Sequence, residues 1–280
     1  MKRHKINYKN VAVQPEIVSK IIKVDIDSHH CFRELDQLLR SDQGTASLVL
    51  RVANSSIYSR GKKINTLPVA ISILGINIIR SLTVLALTRS IFTQSENDLI
   101  RLHVWHHSLL TAIASQNICK ELGAENQCEE AFIAGLLHDV GKILLFSHYA
   151  EEYVDTVDFS LKNNCASFEA EQKLLGIDHL EVGQQAVKEW KLPEHFVGYM
   201  GMNLEEPMCD LAENTVQLSL MAANSLLKGA GIGASQMESS VRKDKLMAIG
   251  LDEKLSDELL EDDYMQGLKK NELYQQCTNA

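Results

Sequence analysis

The chain is predicted to be an all-α protein, and three observations predict it. Its 280 residues include only 4 Pro and 15 Gly, with 6% aromatic residues. This composition argues against a β-sandwich or β-barrel. Apolar residues recur at helical spacing in one segment after another. No segment shows the Val/Ile/Thr alternation of a half-buried strand. The length suits one large domain or two modest ones.

Residues 1–98 are expected to form an N-terminal helical lobe. Pro15 suits the first turn of a helix that carries Ile17 and Ile21. A polar turn with Gly61 is predicted at 56–66. Further helices of this lobe are predicted at about 32–39, at 68–74 and at 77–92, and another helix is predicted to begin near residue 45. The polar stretch 93–99 favours a boundary between two lobes.

Residues 99–228 are expected to form a second helical lobe. Its first long helix runs from 100 to 122 and ends at Gly123, a common residue after a helix. The further predicted helices are at 129–148, 166–175, 179–190, 193–202 and 208–228. Residues 229–280 are predicted to be a flexible Gly-rich linker, 229–235, followed by a small pair of acidic helices.

Composition excludes several classes of function. The net charge of −9 argues against nucleic-acid binding, because phosphate binding needs a basic surface. The six cysteines contain no C-x-x-C pair, which favours free thiols in a reducing cytosol. No apolar run approaches the ~20 residues of a membrane span. We therefore expect a cytoplasmic protein with no membrane association.

Candidate metal ligands lie in the second lobe. His138 and Asp139 are adjacent within the apolar run 134–146, and burying such a pair is costly unless both side chains are paired or bound to a metal. His107 and His179 are predicted on other inward-facing helices. Three imidazoles and one carboxylate could hold one divalent ion, Zn, Fe, Mn or Mg, which would lower the pKa of a bound water. The alternative for each histidine is a hydrogen-bonded core residue. No catalytic residue is assigned.

Other catalytic motifs are excluded. HVWHH, 103–107, places two histidines at i and i+4, as on a zinc-protease helix. The residue after the first histidine should then be a glutamate that acts as the general base, and here it is Val104. No phosphate-binding glycine loop or G-x-S-x-G motif is present.

Several motifs in order resemble one family. LLHDVGK (136–142) resembles the signature of the HD superfamily of metal-dependent phosphohydrolases. VWHHSLLTA (104–112), GIDHLEVGQQAVKEWKLPEH (176–195) and the Asn-Ser and Ala-Ile-x-x-Leu-Gly pattern within 51–75 are similar to its HDOD branch, the HD-related output domain. The resemblance covers roughly 12–228. It implies a multi-helix bundle of the HD/HDOD type, with the N-terminal helical lobe packed on an HD-like lobe and His107 as the first metal ligand.

The chain also departs from the superfamily pattern. Catalytic relatives of the HD-GYP type carry a His-His pair where this chain has Asn203 and Leu204, and the superfamily's final Asp ligand corresponds to Asn224. Asn is a poor ligand for a divalent cation, and Leu is none. A binuclear centre is therefore not expected, whereas His107, His138, Asp139 and His179 suffice for a partial, mononuclear site.

The resemblance implies a signalling output domain without catalytic activity. We expect it to bind an unidentified protein partner through the groove between the lobes or through the acidic C-terminal helices. One alternative is a metal-dependent phosphohydrolase or phosphodiesterase with a reduced ligand set. Another is a sensor of a small ligand such as a nucleotide. No heptad seam is present, so the sequence predicts no oligomeric state.

Overall fold

The computed structural model describes residues 6–8, 12–59, 61–92, 96–200 and 215–278. Within these ranges the chain consists of helices and connecting turns and contains no strand, which confirms the predicted all-α class.

The N-terminal helices surround one long helix. They are α1 (Pro15–Ile22), α2 (Cys31–Arg40), α3 (Gln43–Ala53), α4 (Ser56–Ser59) and α5 (Leu67–Ile91). The short α4 lies where a polar turn is predicted. Gly75, with φ 76° and ψ 166°, breaks α5 at the point where the sequence predicts the end of one helix. α1, α2 and α3 all pack against α5.

The second group of helices begins with a continuous helical run made of α6 (Asp98–Ile100), a π-helix (Arg101–His106) and α7 (His107–Glu121). The other members of the group are a 3-10 turn (Glu125–Gln127), α8 (Cys128–Leu137), α9 (Val140–His148), α10 (Ala150–Asn163), α11 (Ser167–Leu174), α12 (His179–Glu189), α13 (His195–Met200) and α14 (Thr215–Gly229). Helix α10 is absent from the sequence prediction. The single helix predicted at 129–148 is wrong, because the chain leaves helical geometry at Asp139 (φ −109°, ψ 16°) and α9 starts at Val140.

In the described part of the C-terminal region, 230–278, the chain forms four helices, where the sequence predicts a pair. They are α15 (Ser239–Ile249), α16 (Glu253–Leu260), α17 (Asp262–Lys270) and α18 (Glu272–Thr278). α18 returns to the earlier helices. The Glu272 carboxylate accepts hydrogen bonds from the amide and hydroxyl of Ser56, at 3.0 and 3.1 Å. Tyr274 Oη lies 3.2 Å from His106 Nδ1. The division at residues 98 and 228 stays a prediction.

The centre of the second group is formed by α7, α8 and α14, with α9 packed against α12. Gly135 permits the close approach of α8 to α7. A Cβ at this position would fall 2.6 Å from the Ala112 Cα. This contact brings the start of α7 next to the end of α8, where His107 and His138 lie.

Among the described residues, two helical segments are long and apolar enough to cross a membrane by length and composition alone. They are Leu67–Ile91 and Glu125–His148, whose most apolar stretches are 56% and 89% buried within the protein. Core helices pass the same test. Their packing inside the bundle therefore accounts for the apolar composition of these segments.

Candidate metal centre

Three of the four predicted ligands, His107, His138 and Asp139, form one group that could hold a metal ion, and His179 lies beside this group in contact with Asp139. His107 is the first residue of α7, His138 and Asp139 join α8 to α9, and His179 is the first residue of α12. The Nε2 atoms of His107 and His138 are 3.3 Å apart. Asp139 lies among all three imidazoles, with carboxylate–Nε2 distances of 3.5, 3.3 and 3.4 Å to His107, His138 and His179.

The outer nitrogen of each imidazole already has a hydrogen-bond acceptor. The Nδ1 partners are the Ile232 carbonyl for His107 (2.9 Å), the Gly135 carbonyl for His138 (2.8 Å) and the Glu171 carboxylate for His179 (2.6 Å). Carbonyls and carboxylates only accept, so each Nδ1 donates its N–H, and Nε2 is the nitrogen that faces the Asp139 carboxylate. Metal-binding histidines are oriented in this way.

The donor set fits one divalent cation. Bonds of about 2.0–2.1 Å in a tetrahedral zinc site place neighbouring ligand atoms about 3.3 Å apart, close to the spacings found here. Burial holds the pKa of the His107 imidazole well below its usual range, so the ring is neutral. Burial also opposes ionisation of Asp139, but His138 and Lys142 outweigh it and hold the pKa of this carboxyl well below its usual range.

Lys142 is a site residue that sequence reasoning missed. Its ammonium lies 2.9 Å from Asp139 Oδ2, and the residue is 2% exposed. The available signal was its position three residues after Asp139 within the HDVGK motif. Lys142 therefore gives the buried carboxylate an ion-pair partner from within the protein.

Glu171 is a second residue that sequence reasoning missed. Its buried carboxylate accepts hydrogen bonds from the amide and ring of His179, at 2.7 and 2.6 Å, and from the Tyr153 hydroxyl at 2.7 Å. These contacts fix the orientation of the His179 imidazole. A glutamate within an amphipathic helix carries no sequence signal of burial, so only the fold reveals this role.

Asn224 lies where the resemblance places it. Its side-chain amide is 3.1 Å from His107 Nε2, at the edge of the ligand group. Because Nε2 carries a lone pair, the NH₂ side of the amide is the one that can donate to it, and the two ends of an amide are assigned from such networks. Asn203 and Leu204, the other departures from the pattern, lie outside the described residues.

The centre is enclosed. His107, His138, Asp139 and His179 are 0, 3, 3 and 6% exposed. The predicted flexible linker is buried at Ile232 and Gly233, and the Gly233 amide donates to His103 Nδ1 at 3.1 Å. The cavity beside Lys142 and Glu171 measures about 10 Å³, which is about the space for one water molecule. A phosphate ester does not fit there.

Comparison with known proteins gives a consistent family and fold. The family model described as HDOD domain matches residues 11–203. An uncharacterized protein of Treponema pallidum (strain Nichols) is 19% identical over 183 residues, which are 64% of this chain and 35% of that protein. The chain thus spans about a third of that relative's length.

Three solved structures share the fold. An HDOD domain protein with unknown function from Geobacter sulfurreducens has a TM-score of 0.71 and 23% identity, with 91% of each chain covered. A candidate signal transduction protein from Marinobacter aquaeolei VT8 has a TM-score of 0.73 and 20% identity, over 99% of this chain and 62% of that one. A candidate phosphohydrolase from Shewanella amazonensis SB2B has a TM-score of 0.67 and 22% identity, with 94% of each chain covered.

Proposed function

The chain belongs to the HDOD domain family, and on that premise we propose that it is a cytoplasmic signalling module that acts by binding a protein partner. In this proposal the centre formed by His107, His138, Asp139 and His179 is structural. It holds at most one divalent metal ion and performs no hydrolysis.

Enclosure of the centre is the observation that supports this proposal best. The four ligand-type side chains are almost fully buried, and the adjoining cavity of about 10 Å³ excludes a phosphate ester. Asn224 supplies no negative charge where an Asp ligand would. Lys142 neutralises Asp139 directly, at 2.9 Å. These features stabilise a buried polar cluster, and none of its four ligand-type side chains lines the larger open clefts found among the described residues.

The partner surface is proposed on the acidic C-terminal helices. Six exposed carboxylates lie on α16, at its junction with α17 and at the start of α17, at positions 253, 257, 258, 261, 262 and 263. Those at 253, 257 and 258 also pair with Lys243 or Lys254, and those at 261, 262 and 263 have no ion pair with a described lysine or arginine. α18 anchors this unit to Ser56 through Glu272, next to the groove between the two groups of helices. A partner with a basic face complements this surface, and its association would weaken as salt rises.

Two measurements test the proposal. The purified protein, supplied in turn with Zn²⁺, Fe²⁺, Mn²⁺ and Mg²⁺, should not hydrolyse bis(p-nitrophenyl) phosphate above the rate of the His138→Ala variant. The wild type should also capture one specific protein from a lysate, and a variant that combines Asp257→Lys, Glu258→Lys, Glu261→Lys and Asp262→Lys should lose it. Metal-dependent turnover would contradict the proposal that the centre is structural. Capture that is unaffected by charge reversal would contradict the proposed partner surface.

A residual metal-dependent phosphohydrolase is the second candidate. The convergence of His107, His138 and Asp139 favours it, since a bound metal would lower the pKa of a coordinated water. These three residues would hold the ion, His179 beside Asp139 could add a fourth ligand, and Lys142 would stay paired with Asp139. This candidate requires stoichiometric metal by elemental analysis and turnover that Asp139→Asn abolishes while helical content is retained.

A further inference from the structure

A groove among the N-terminal helices has the features of an anion site. It is formed by the residues just before α1, one face of α3 and the end of α5, and its volume is about 640 Å³. This volume lies within the usual range for small-molecule sites. The charged residues that line it are Arg51 on α3, Arg89 on α5 and Asp42, which precedes α3.

Neither arginine of the groove has an acidic partner. Among the described residues, no carboxylate forms an ion pair with Arg51 or Arg89, whereas Arg80 on the same helix as Arg89 pairs with Glu129 at 3.6 Å. Two unpaired guanidinium groups in one groove are a local positive site on a protein whose net charge is −9.

The carboxylate of the groove is engaged by backbone donors. One oxygen of Asp42 accepts from the Thr45 amide at 2.7 Å and the other from the Gln14 amide at 3.1 Å. These bonds cap α3 and tie the chain before α1 to it. Asp42 therefore does not neutralise the arginines by direct contact, and the balance of lining charge stays positive.

The guanidinium of Arg89 lacks an acceptor. Its Nη1 atom is buried and has no hydrogen-bond partner among the described residues. The same group lies against the Cys277 thiol of α18, whose pKa is raised by burial, so the thiol is neutral and only a weak acceptor. Arg51 and Arg89 both oppose that rise in the pKa, which places both guanidinium groups near the same point. An anion in the groove would supply the charge and the acceptors that they lack.

The lining residues also indicate the type of anion. One guanidinium fork saturates the two oxygens of a carboxylate, whereas the three terminal oxygens of a phosphomonoester can accept from two forks. Gln43 and Ser47 are exposed on the wall formed by α3 and can hydrogen-bond hydroxyl groups. The apolar lining residues Val13 and Leu48 are only 4 and 3% exposed, so the groove offers little apolar surface.

We propose that this groove binds a small, hydroxyl-bearing phosphomonoester, with the phosphate between Arg51 and Arg89 and the hydroxyl groups against α3. The site is separate from the candidate metal centre, none of whose four ligand-type residues lines the groove. It is also separate from the acidic surface of α16 and α17. Binding in the groove requires neither a metal ion nor a protein partner.

Calorimetric titration of the full chain with glycerol 3-phosphate, glycerate, inorganic phosphate and glycerol tests the proposal. Glycerol 3-phosphate should bind with a Kd below about 1 mM. Glycerate and inorganic phosphate should each bind about tenfold more weakly, and glycerol should give no saturable heat. No saturation by glycerol 3-phosphate up to about 10 mM would overturn the site. Equal binding of glycerate would overturn the choice of phosphate, and equal binding of inorganic phosphate would overturn the role of the hydroxyl groups.

Variants localise the binding. Arg51→Gln should weaken glycerol 3-phosphate by about tenfold or more. Arg33→Gln makes the same charge change at an exposed position of α2 outside the groove and should leave Kd unchanged. Ser47→Trp should fill the groove and abolish binding with unaltered net charge. Far-UV circular dichroism checks that each variant is folded, and equal weakening by both arginine variants would indicate general charge attraction and contradict the site.

Two further titrations separate the groove from the metal centre. Binding of glycerol 3-phosphate should persist in EDTA and in the His138→Ala variant. Loss of binding in either titration, with Arg51→Gln unaffected, would place the phosphate on a metal ion and reject the groove. The outcome is independent of whether the protein hydrolyses an ester or binds a partner.

Discussion

The backbone of Gly233 lies against the imidazole of His107, so closely that a Cβ at position 233 would fall 2.5 Å from Nδ1. The preceding residue, Ile232, accepts the hydrogen bond of the same nitrogen at 2.9 Å. A segment 125 residues away in sequence therefore closes the centre and fixes the tautomer of its first histidine. This contact makes the start of the C-terminal region part of the core of the preceding helices.

Gly233→Ala should destabilise the protein by about 2–4 kcal/mol, because the new methyl group clashes with a buried ring and the residue has φ +96°. Urea unfolding followed by circular dichroism measures the change. Gly231→Ala is the matched control. It has φ +83° but its Cβ would be 3.4 Å from Gln236, so it should lose only about 1 kcal/mol. Equal losses would show that the His107 contact is not tight.

Gly141→Ala should destabilise the protein by about 3 kcal/mol or more, since its Cβ would overlap the carbonyl oxygen of His179. Backbone cannot yield as a side chain can, so α12 must move away from α9. Gly183→Ala tests the same helix contact from the other side. Its Cβ meets only ordinary contacts at 3.6 Å or more, and alanine favours a helix, so this variant should gain about 0.5–1 kcal/mol. Thermal unfolding of both variants gives the comparison, and the same sign for both would contradict it.

The sequence could predict the fold class and the ligand-type residues because their signals are local. Helical periodicity, Gly75 and the adjacent His138 and Asp139 are each visible within a few residues. The contacts of Glu171 with His179 and of Gly233 with His107 depend on how helices pack, and no local pattern encodes them. The glycines of segment 229–235 predict a flexible linker. In the structure one of them, Gly233, is required because its backbone packs closely against His107.

Glu171→Gln should destabilise the protein by about 2–3 kcal/mol. An amide cannot accept at both ends, so one of the donors from Tyr153 or His179 is left facing an NH₂ group in a buried place. Tyr153→Phe removes only one hydrogen bond and should cost about 1 kcal/mol. If the centre holds a single metal ion, Glu171→Gln should also lower the affinity for that ion about tenfold or more, because the His179 ring loses its carboxylate partner.

Chemical unfolding and metal competition with a chromogenic chelator measure these two effects of Glu171→Gln. Equal stability losses for Glu171→Gln and Tyr153→Phe would show that the bonds to His179 contribute little. Unchanged metal affinity in a protein that binds metal would show that His179 is not a ligand.

Glu129 should make stability depend on pH. Burial raises the pKa of its carboxyl to about 7, although Arg80, at 3.6 Å, acts in the opposite direction. The folded state therefore holds a proton that the unfolded chain releases above its ordinary value of 4.5. Stability from this group is fully present below pH about 4.5 and is lost as the pH rises to about 7, by up to about 3 kcal/mol. Glu129→Gln should remove this loss, so in urea unfolding the stability of the wild type should fall relative to that of the variant between about pH 4.5 and 7. Parallel curves would mean that the carboxylate is already ionised across this range.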